Sequence, residues 1–165
     1  MTAASLRPHD EALLRRAFDV ARRSRAAGDH PFGSALADGE GRVLMEQGNG
    51  YRSEGGDRTA HAERLLASRA ARAYDLAFLA RCTLYTSAEP CAMCAGAIYW
   101  AGIGRVVFGQ TEKALKEATG AHEENPTLDL PCAVVFAAGQ RPTEVLGPLI
   151  EDEAAEPHAG AWNAS

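Results

Sequence analysis

Over residues 10–27 the apolar positions Leu13, Leu14, Ala17, Phe18 and Ala21 recur at helical spacing, with Arg15, Arg22, Arg23 and Arg25 on the other side. That pattern predicts an amphipathic helix whose arginines form a solvated face. The period then shortens. Residues 34–37 and 42–46 are strand-like runs around Asp38-Gly39-Glu40-Gly41, a composition that predicts a hairpin, and residues 49–58 make a polar, glycine-bearing loop. Residues 60–73, rich in Ala, Leu, Glu and Arg, predict a second helix with Thr59 as its N-cap. CTLYTS at 82–87 has strand composition, and Pro90 then opens a helix from Cys91 to about Trp100, stopped by Gly102 and Gly104. Residues 105–108 predict a strand and 112–118 a helix. The stretch 130–139 is ambiguous: Val134-Val135-Phe136 favours a strand, whereas Pro131 at N1 and Gly139 at C′ favour the short helix preferred here. A last strand at 143–146 and a last helix at 149–155 complete the pattern. Strands alternating with helices after an initial hairpin predict a three-layer α/β/α sandwich around a central mixed five-stranded sheet.

Composition narrows the class. The chain has 165 residues, 46% hydrophobic and 24% charged, which predicts one domain over 1–165. No run approaches the roughly 18 apolar residues of a spanning helix, and MTAASLRPHDEALLRR lacks the apolar stretch of a secretion signal, so the expectation is a cytoplasmic protein without a membrane partner. Net charge is -5; residues 143–165 hold Glu144, Glu151, Asp152, Glu153 and Glu156 with no Lys or Arg and so carry the whole excess. A general nucleic-acid binder would be basic. Four cysteines, Cys82, Cys91, Cys94 and Cys132, are too few and too unevenly placed for a disulfide framework.

Two short motifs carry the chemistry. His61-Ala62-Glu63 opens one predicted helix and Pro90-Cys91-Ala92-Met93-Cys94 opens another. On a helix, residues three apart share a face, and a helix N-terminus favours thiolate over thiol. Two thiolates and the His61 imidazole would offset the charge of a zinc ion and leave a fourth tetrahedral position for water. Residues two apart do not face each other on a regular helix, so His61 is expected at an irregular first turn, where ring and Glu63 carboxylate converge. A structural zinc knot would want a fourth Cys or His, and Cys82 and Cys132 sit in apolar surroundings that suit packing better. A redox CxxC would leave His61 and Glu63 without a role.

In combination the motifs follow the H-x-E…P-C-x-x-C pattern. With Pro31-Phe32-Gly33, Asn49, TAHAE and LYTSAEPCAMCAGAIYWAGIGRVVFG over 84–109, the chain resembles the cytidine deaminase-like superfamily, in the branch of guanine deaminases and tRNA adenosine deaminases. The resemblance covers about residues 10–157. It implies one Zn²⁺ per chain on His61, Cys91 and Cys94, with water or hydroxide as fourth ligand, and Glu63 as proton shuttle. It further implies that Phe32 stacks on the base, that Asn49 hydrogen-bonds a ring edge, that Ala62 belongs to the substrate site and that Trp100 lines the pocket. An acid after the last catalytic-side helix would hold the purine; Glu123 and Glu124 stand there, with Asp129 a weaker candidate. The segment 157–162 ends in an aromatic residue, and in some members the C-terminal segment closes an active site, sometimes that of the neighbouring subunit.

The implied activity is zinc-dependent hydrolytic deamination of a free purine-type base or nucleoside, guanine to xanthine and ammonia first. Alternatives are a tRNA adenosine deaminase, a cytosine, cytidine or aminated triazine deaminase, and a non-enzymatic zinc domain. The acidic C-terminal stretch argues against tRNA, because phosphate binding is mainly electrostatic. The implied partners are a small heterocycle and a second copy of the chain.

Overall fold

The computed structural model describes residues 4–120 and 122–162. In chain order its elements are α1 (Asp10–Ala26), β1 (Gly33–Ala37), β2 (Val43–Gly48), α2 (Ala62–Ala73), α3 (Leu76–Leu79), β3 (Thr83–Ala88), α4 (Ala92–Ala101), β4 (Arg105–Gln110), α5 (Glu112–Thr119), α6 (Cys132–Ala137), β5 (Glu144–Leu146) and α7 (Glu151–Ala155), followed by a 3₁₀ turn at Glu156–His158. The strands form one sheet in the order β2-β1-β3-β4-β5. The β1 strand is antiparallel to β2 and β3, whereas β3, β4 and β5 run parallel. This is the mixed five-stranded sheet that the periodicity predicts.

Strand directions decide where chemistry can gather. Gly33 pairs with Gly48, Ser34 with Thr86, and Ala88 with Gln110. The start of β1 and the ends of β2, β3 and β4 therefore share one edge of the sheet. Phe32, Asn49, Cys91 and Glu112 all lie within three residues of it in sequence. Every residue of β1, β3 and β4 is buried, as befits strands covered on both faces. On one face Leu84, Val106 and Phe108 pack with Leu66 of α2, Ile98 of α4 and Phe136 of α6. On the other, Tyr85 and Val107 meet Leu14, Ala17 and Phe18 of α1 and Ala154 of α7. A Cβ at Gly33 would run into the α1 backbone at Ala17 and Ala21, so glycine permits that helix to lie against β1.

Element ends shift by a few residues from the sequence-based expectation. The ambiguous stretch is helical from Cys132, with Pro131 as N-cap rather than N1. Thr59 does not cap α2. Its hydroxyl donates to Asp57 Oδ1 at 2.7 Å, and turns at Asp57–Ala60 and Thr59–His61 delay the helix to Ala62. The four-residue α3, capped by Asp75, is too short for a periodic signal. Among the described residues no helix is long and apolar enough to cross a membrane.

One buried ion pair ties α1 to the central strands. Asp10, at the start of α1, accepts hydrogen bonds from Arg105 Nη1 and Nη2 at 2.8 Å each, from Tyr85 Oη at 2.8 Å and from the Arg7 amide at 2.7 Å. Burial alone would raise the Asp10 carboxyl, but hydrogen bonds from Arg105, Arg7 and Tyr85 outweigh it and hold it at about 2. A depressed carboxyl contributes stability above its unfolded value and loses it as pH falls, here between about pH 4 and pH 2. Asp10→Ala strands a buried guanidinium and is expected to cost about 3–5 kcal/mol in urea unfolding. Acid titration of the variant should lack the loss of stability over that pH window.

Candidate metal centre and cavity

His61 is the N-cap of α2, with extended backbone at φ -69° and ψ 146°, and Glu63 is the second residue of the helix proper. The kink supplies the irregular start that brings ring and carboxylate together. Cys91 holds the same position on α4, at φ -64° and ψ 170°, and Cys94 follows in the first turn. His61 Nδ1 lies 3.6 Å from Cys91 Sγ and 3.5 Å from Cys94 Sγ, and the three donor atoms fall within 4.8 Å of one another. Zn–S bonds near 2.3 Å and Zn–N bonds near 2.0 Å imply roughly 3.5 Å between tetrahedral nitrogen and sulfur ligands. One imidazole and two thiols so spaced fit zinc. The hydrogen bond from Cys94, and then His61, hold the Cys91 thiol down at about 4, while Cys94, bonded to Cys91 and buried, is pushed well above the usual thiol value. A metal ion bound there would displace the remaining thiol proton.

Glu63 stands directly beside the cluster. Its Oε1 accepts from Thr86 Oγ1 at 2.5 Å and its Oε2 from Cys94 Sγ at 3.6 Å. Burial pushes its carboxyl above the ordinary range, which suits a group that must hold a proton and release it.

These groups open into a cavity of about 620 Å³. Phe32, Asn49 and Tyr51 form one side; Glu112 and Leu115 of α5 belong to another; residues 123–128 contribute the loop. Asn49 is buried, and its Oδ1 accepts from the Tyr51 amide at 2.8 Å, which leaves its NH₂ as a donor. Glu124 Oε2 meets His30 Nε2 at 2.9 Å, a contact that lowers the Glu124 carboxyl, and His30 stacks on Tyr51 with centroids 4.7 Å apart. Trp162 lies 5.3 Å from His30 and 6.0 Å from Phe32 between ring centroids, and its Nε1 donates to His158 Nδ1 at 3.0 Å. The C-terminal segment thus folds behind its own chain's cavity wall.

Residues 7–110 match the model of the cytidine and deoxycytidylate deaminase zinc-binding region. The chain belongs to the cytidine and deoxycytidylate deaminase family. A probable cytosine deaminase of Schizosaccharomyces pombe is 42% identical over 99% of this chain and 98% of its own length. A tRNA-specific adenosine deaminase of Haemophilus influenzae is 37% identical over 68% of this chain and 65% of its own. Among solved structures, a guanine deaminase of Nitrosomonas europaea superposes with a TM-score of 0.74 at 27% identity, covering 95% of this chain and 85% of that one.

Within this deaminase fold His61, Glu63, Cys91, Cys94, Phe32, Asn49, Glu123 and Glu124 all reach the cavity or its metal cluster. Three expected residues do not line it. Trp100 is 78% exposed on the last turn of α4; six residues beyond Cys94 correspond to a rise of about 9 Å and a different helix face. Ala62 is wholly buried as the first residue of α2, its methyl in the core. Asp129 is exposed, past the last lining residue of the loop, Leu128. Cys82 and Cys132 belong to the apolar core, away from the metal-capable cluster. The motifs alone also miss several groups. Thr86 holds Glu63; Asn125 Nδ2 and Thr127 Oγ1 are buried without hydrogen-bond partners; and Glu112 is a buried acid on the cavity wall. Burial, then the nearby Cys91, Glu63 and Glu89 charges, push the Glu112 carboxyl up to about 8.

Glu89, in the loop between β3 and α4, has a structural task. Its Oε2 accepts from the Glu112 amide and its Oε1 from the Cys132 amide, both at 3.0 Å, so one carboxylate caps the starts of α5 and α6. Hydrogen bonds to a charged group contribute about 1.5–3 kcal/mol each. Glu89→Ala removes two, and its denaturant midpoint should fall far more than that of Glu89→Gln, which keeps one acceptor oxygen.

Proposed function

We propose that this protein is a zinc-dependent hydrolase that deaminates a free aminated nucleobase, with guanine as the preferred substrate and xanthine and ammonia as products. The observation that carries this reading is the His61, Cys91 and Cys94 cluster beside buried Glu63 on a cavity of about 620 Å³, a volume within the usual range for small-molecule sites. One zinc ion per chain, when bound there, lowers the pKa of water toward neutrality and so supplies a nucleophile at physiological pH.

The chain's own groups do the rest. Glu63 takes a proton from the attacking water and passes it to a ring nitrogen as oxygen bonds to the amine-bearing carbon; it then takes the remaining proton from that oxygen and delivers it to the amine as the carbon–nitrogen bond breaks. Water and aminated base become oxo base and ammonia, with no net change in protons. The Thr86 hydrogen bond fixes the carboxylate between its two tasks. Phe32, wedged edge-on against His158 at 5.1 Å, offers a ring face for the base, and the Asn49 NH₂ donates to a ring acceptor. Because Glu124 is engaged by His30, Glu123, which has no hydrogen-bond partner among the described residues, is assigned the N–H edge of the substrate.

Guanine is preferred over other bases because the cavity combines a carboxylate loop with room for a purine, and because the solved guanine deaminase shares the fold over nearly the whole chain. Cytosine is the second reading, favoured by the full-length relative at 42% identity. A tRNA substrate finds less support, since the net charge is -5. Association as a homodimer is part of the proposal, with exposed Trp100 of α4 and Val134 of α6 as apolar groups a second copy could cover.

An ammonia-release screen across guanine, guanosine, adenine, cytosine, cytidine and aminated triazines tests the substrate. Glu63→Gln is expected to retain close to one zinc per chain by atomic absorption while losing about 10²–10⁴-fold in turnover; Cys91→Ala and Cys94→Ala should lose the metal itself. Near-normal turnover in Glu63→Gln would favour a structural zinc domain. In the loop, Glu123→Gln should lower kcat/KM for the preferred base at least about tenfold, or roughly 1.4 kcal/mol of transition-state binding. Glu124→Gln should stay close to wild type; the reverse order would move the substrate contact to Glu124, and silence of both variants would favour a pyrimidine or triazine.

A further inference from the structure

Glu112 is an acid without a visible purpose in the fold. The Thr111 hydroxyl accepts from the Ala114 amide at 3.1 Å and caps α5, and the Glu89 carboxylate holds the Glu112 amide at 3.0 Å. Its backbone is therefore fixed twice. Its side chain is bonded to nothing: among the described residues the carboxyl makes no hydrogen bond and no ion pair, although the residue is only 8% exposed. Buried carboxyls in folded proteins are normally paired. This one faces the cavity beside Leu115, three residues on along the same helix face.

The sheet sets what lies across from it. Asn49 follows β2 and Glu112 follows β4, three strand positions apart in the order β2-β1-β3-β4. At about 4.8 Å per strand the two chain exits are separated by roughly 14 Å, with the metal cluster emerging between them. Asn49 presents a donor, because its oxygen is used by Tyr51. Glu112 presents an acceptor. A planar ring held between them meets a donor at one edge and an acceptor at the other.

We infer that Glu112 is a substrate-contacting residue that accepts a hydrogen bond from the ring N–H which a glycosidic bond would replace, so that the site selects free bases over nucleosides. The inference rests on the base-deaminase reading and adds its discrimination. In a nucleoside that nitrogen has no hydrogen, and its ribose would be driven against the buried Glu112 carboxyl group and Leu115. The contact would leave Glu112 unpaired and bury the sugar hydroxyls without partners, the two penalties that make polar recognition strict.

The test uses the zinc-loaded full chain with guanine, cytosine, their nucleosides, and 9-methylguanine and 1-methylcytosine, which lack the N–H but carry no sugar. Wild type should turn over the active free base at least about tenfold better in kcat/KM than its methylated or glycosylated form. Glu112→Leu, which removes the acceptor, should lose at least about tenfold on the free base, mainly through KM, and keep its zinc, so that the base-to-methylated-base ratio collapses. Glu112→Gln, which retains an acceptor oxygen, should fall between. Equal wild-type use of a base and its methylated form, or an unchanged ratio in both variants with zinc retained, overturns the role of Glu112 and leaves the deaminase reading standing. No turnover of any free base by wild type overturns that reading and the inference with it.

Discussion

Strands β3 and β4 run parallel, so the chain leaves both at the same edge of the sheet and must return through helices that begin there. The antiparallel β1 contributes its start to that edge, and β2 its end. Four chain segments that are distant in sequence are thereby delivered to one place. The general tendency of open α/β sheets to bind ligands beyond the carboxyl ends of their strands has here a concrete cause: it is where the helix N-termini and their unpaired N–H groups collect.

That collection has an electrostatic consequence. Glu63, Glu89, Glu112 and two cysteines crowd a small buried region, and acids brought so close repel unless something positive is near. Helix starts supply part of it. His61, Cys91 and Glu112 each lie at or next to the first residue of a helix, and the Glu89 carboxylate bonds directly to two helix-start amides. A zinc ion would supply the remainder as the largest local charge, favouring thiolate on both cysteines. The Asp10–Arg105 pair belongs to the opposite, structural kind of burial: each oxygen and both terminal guanidinium nitrogens have partners, and nothing about it faces a cavity.

Chemistry at the metal end was legible in sequence because it is local. His61-Ala62-Glu63 and Cys91–Cys94 each depend on one helix start, and short-range spacing is what a linear pattern records. The sheet followed for a related reason, since its central strands are apolar runs bounded by glycines and prolines. Thr86, Glu112 and Asn125 were not legible. Each owes its place to an approach between elements distant in sequence, and a single threonine or glutamate looks the same in a linear reading whether it meets solvent or a cavity. Trp100, which the resemblance associates with the pocket, stands on a different face of α4 from Cys94, a full helix turn and more from the sulfur. Thr59 failed as a cap because Asp57 competes for its hydroxyl, diverting the backbone into turns before α2 can begin.

The metal cluster and the far wall of the cavity come from different parts of the chain. The family match ends at residue 110, and the groups on the metal side, from His61 to Cys94, lie inside it. Glu112, Glu123, Glu124, Asn125 and Thr127 all lie beyond it and form the other side of the cavity. A hydrolytic centre needs only water, a metal and a proton carrier held rigidly at a strand end; the choice of amine needs walls, and walls made of α5 and a loop can change without disturbing the sheet. The Glu89 carboxylate is where the halves meet, because it leaves the strand that positions Cys91 and caps the helix that carries Glu112. Side chains on that helix can change while its start stays fixed relative to the strand that leads to Cys91.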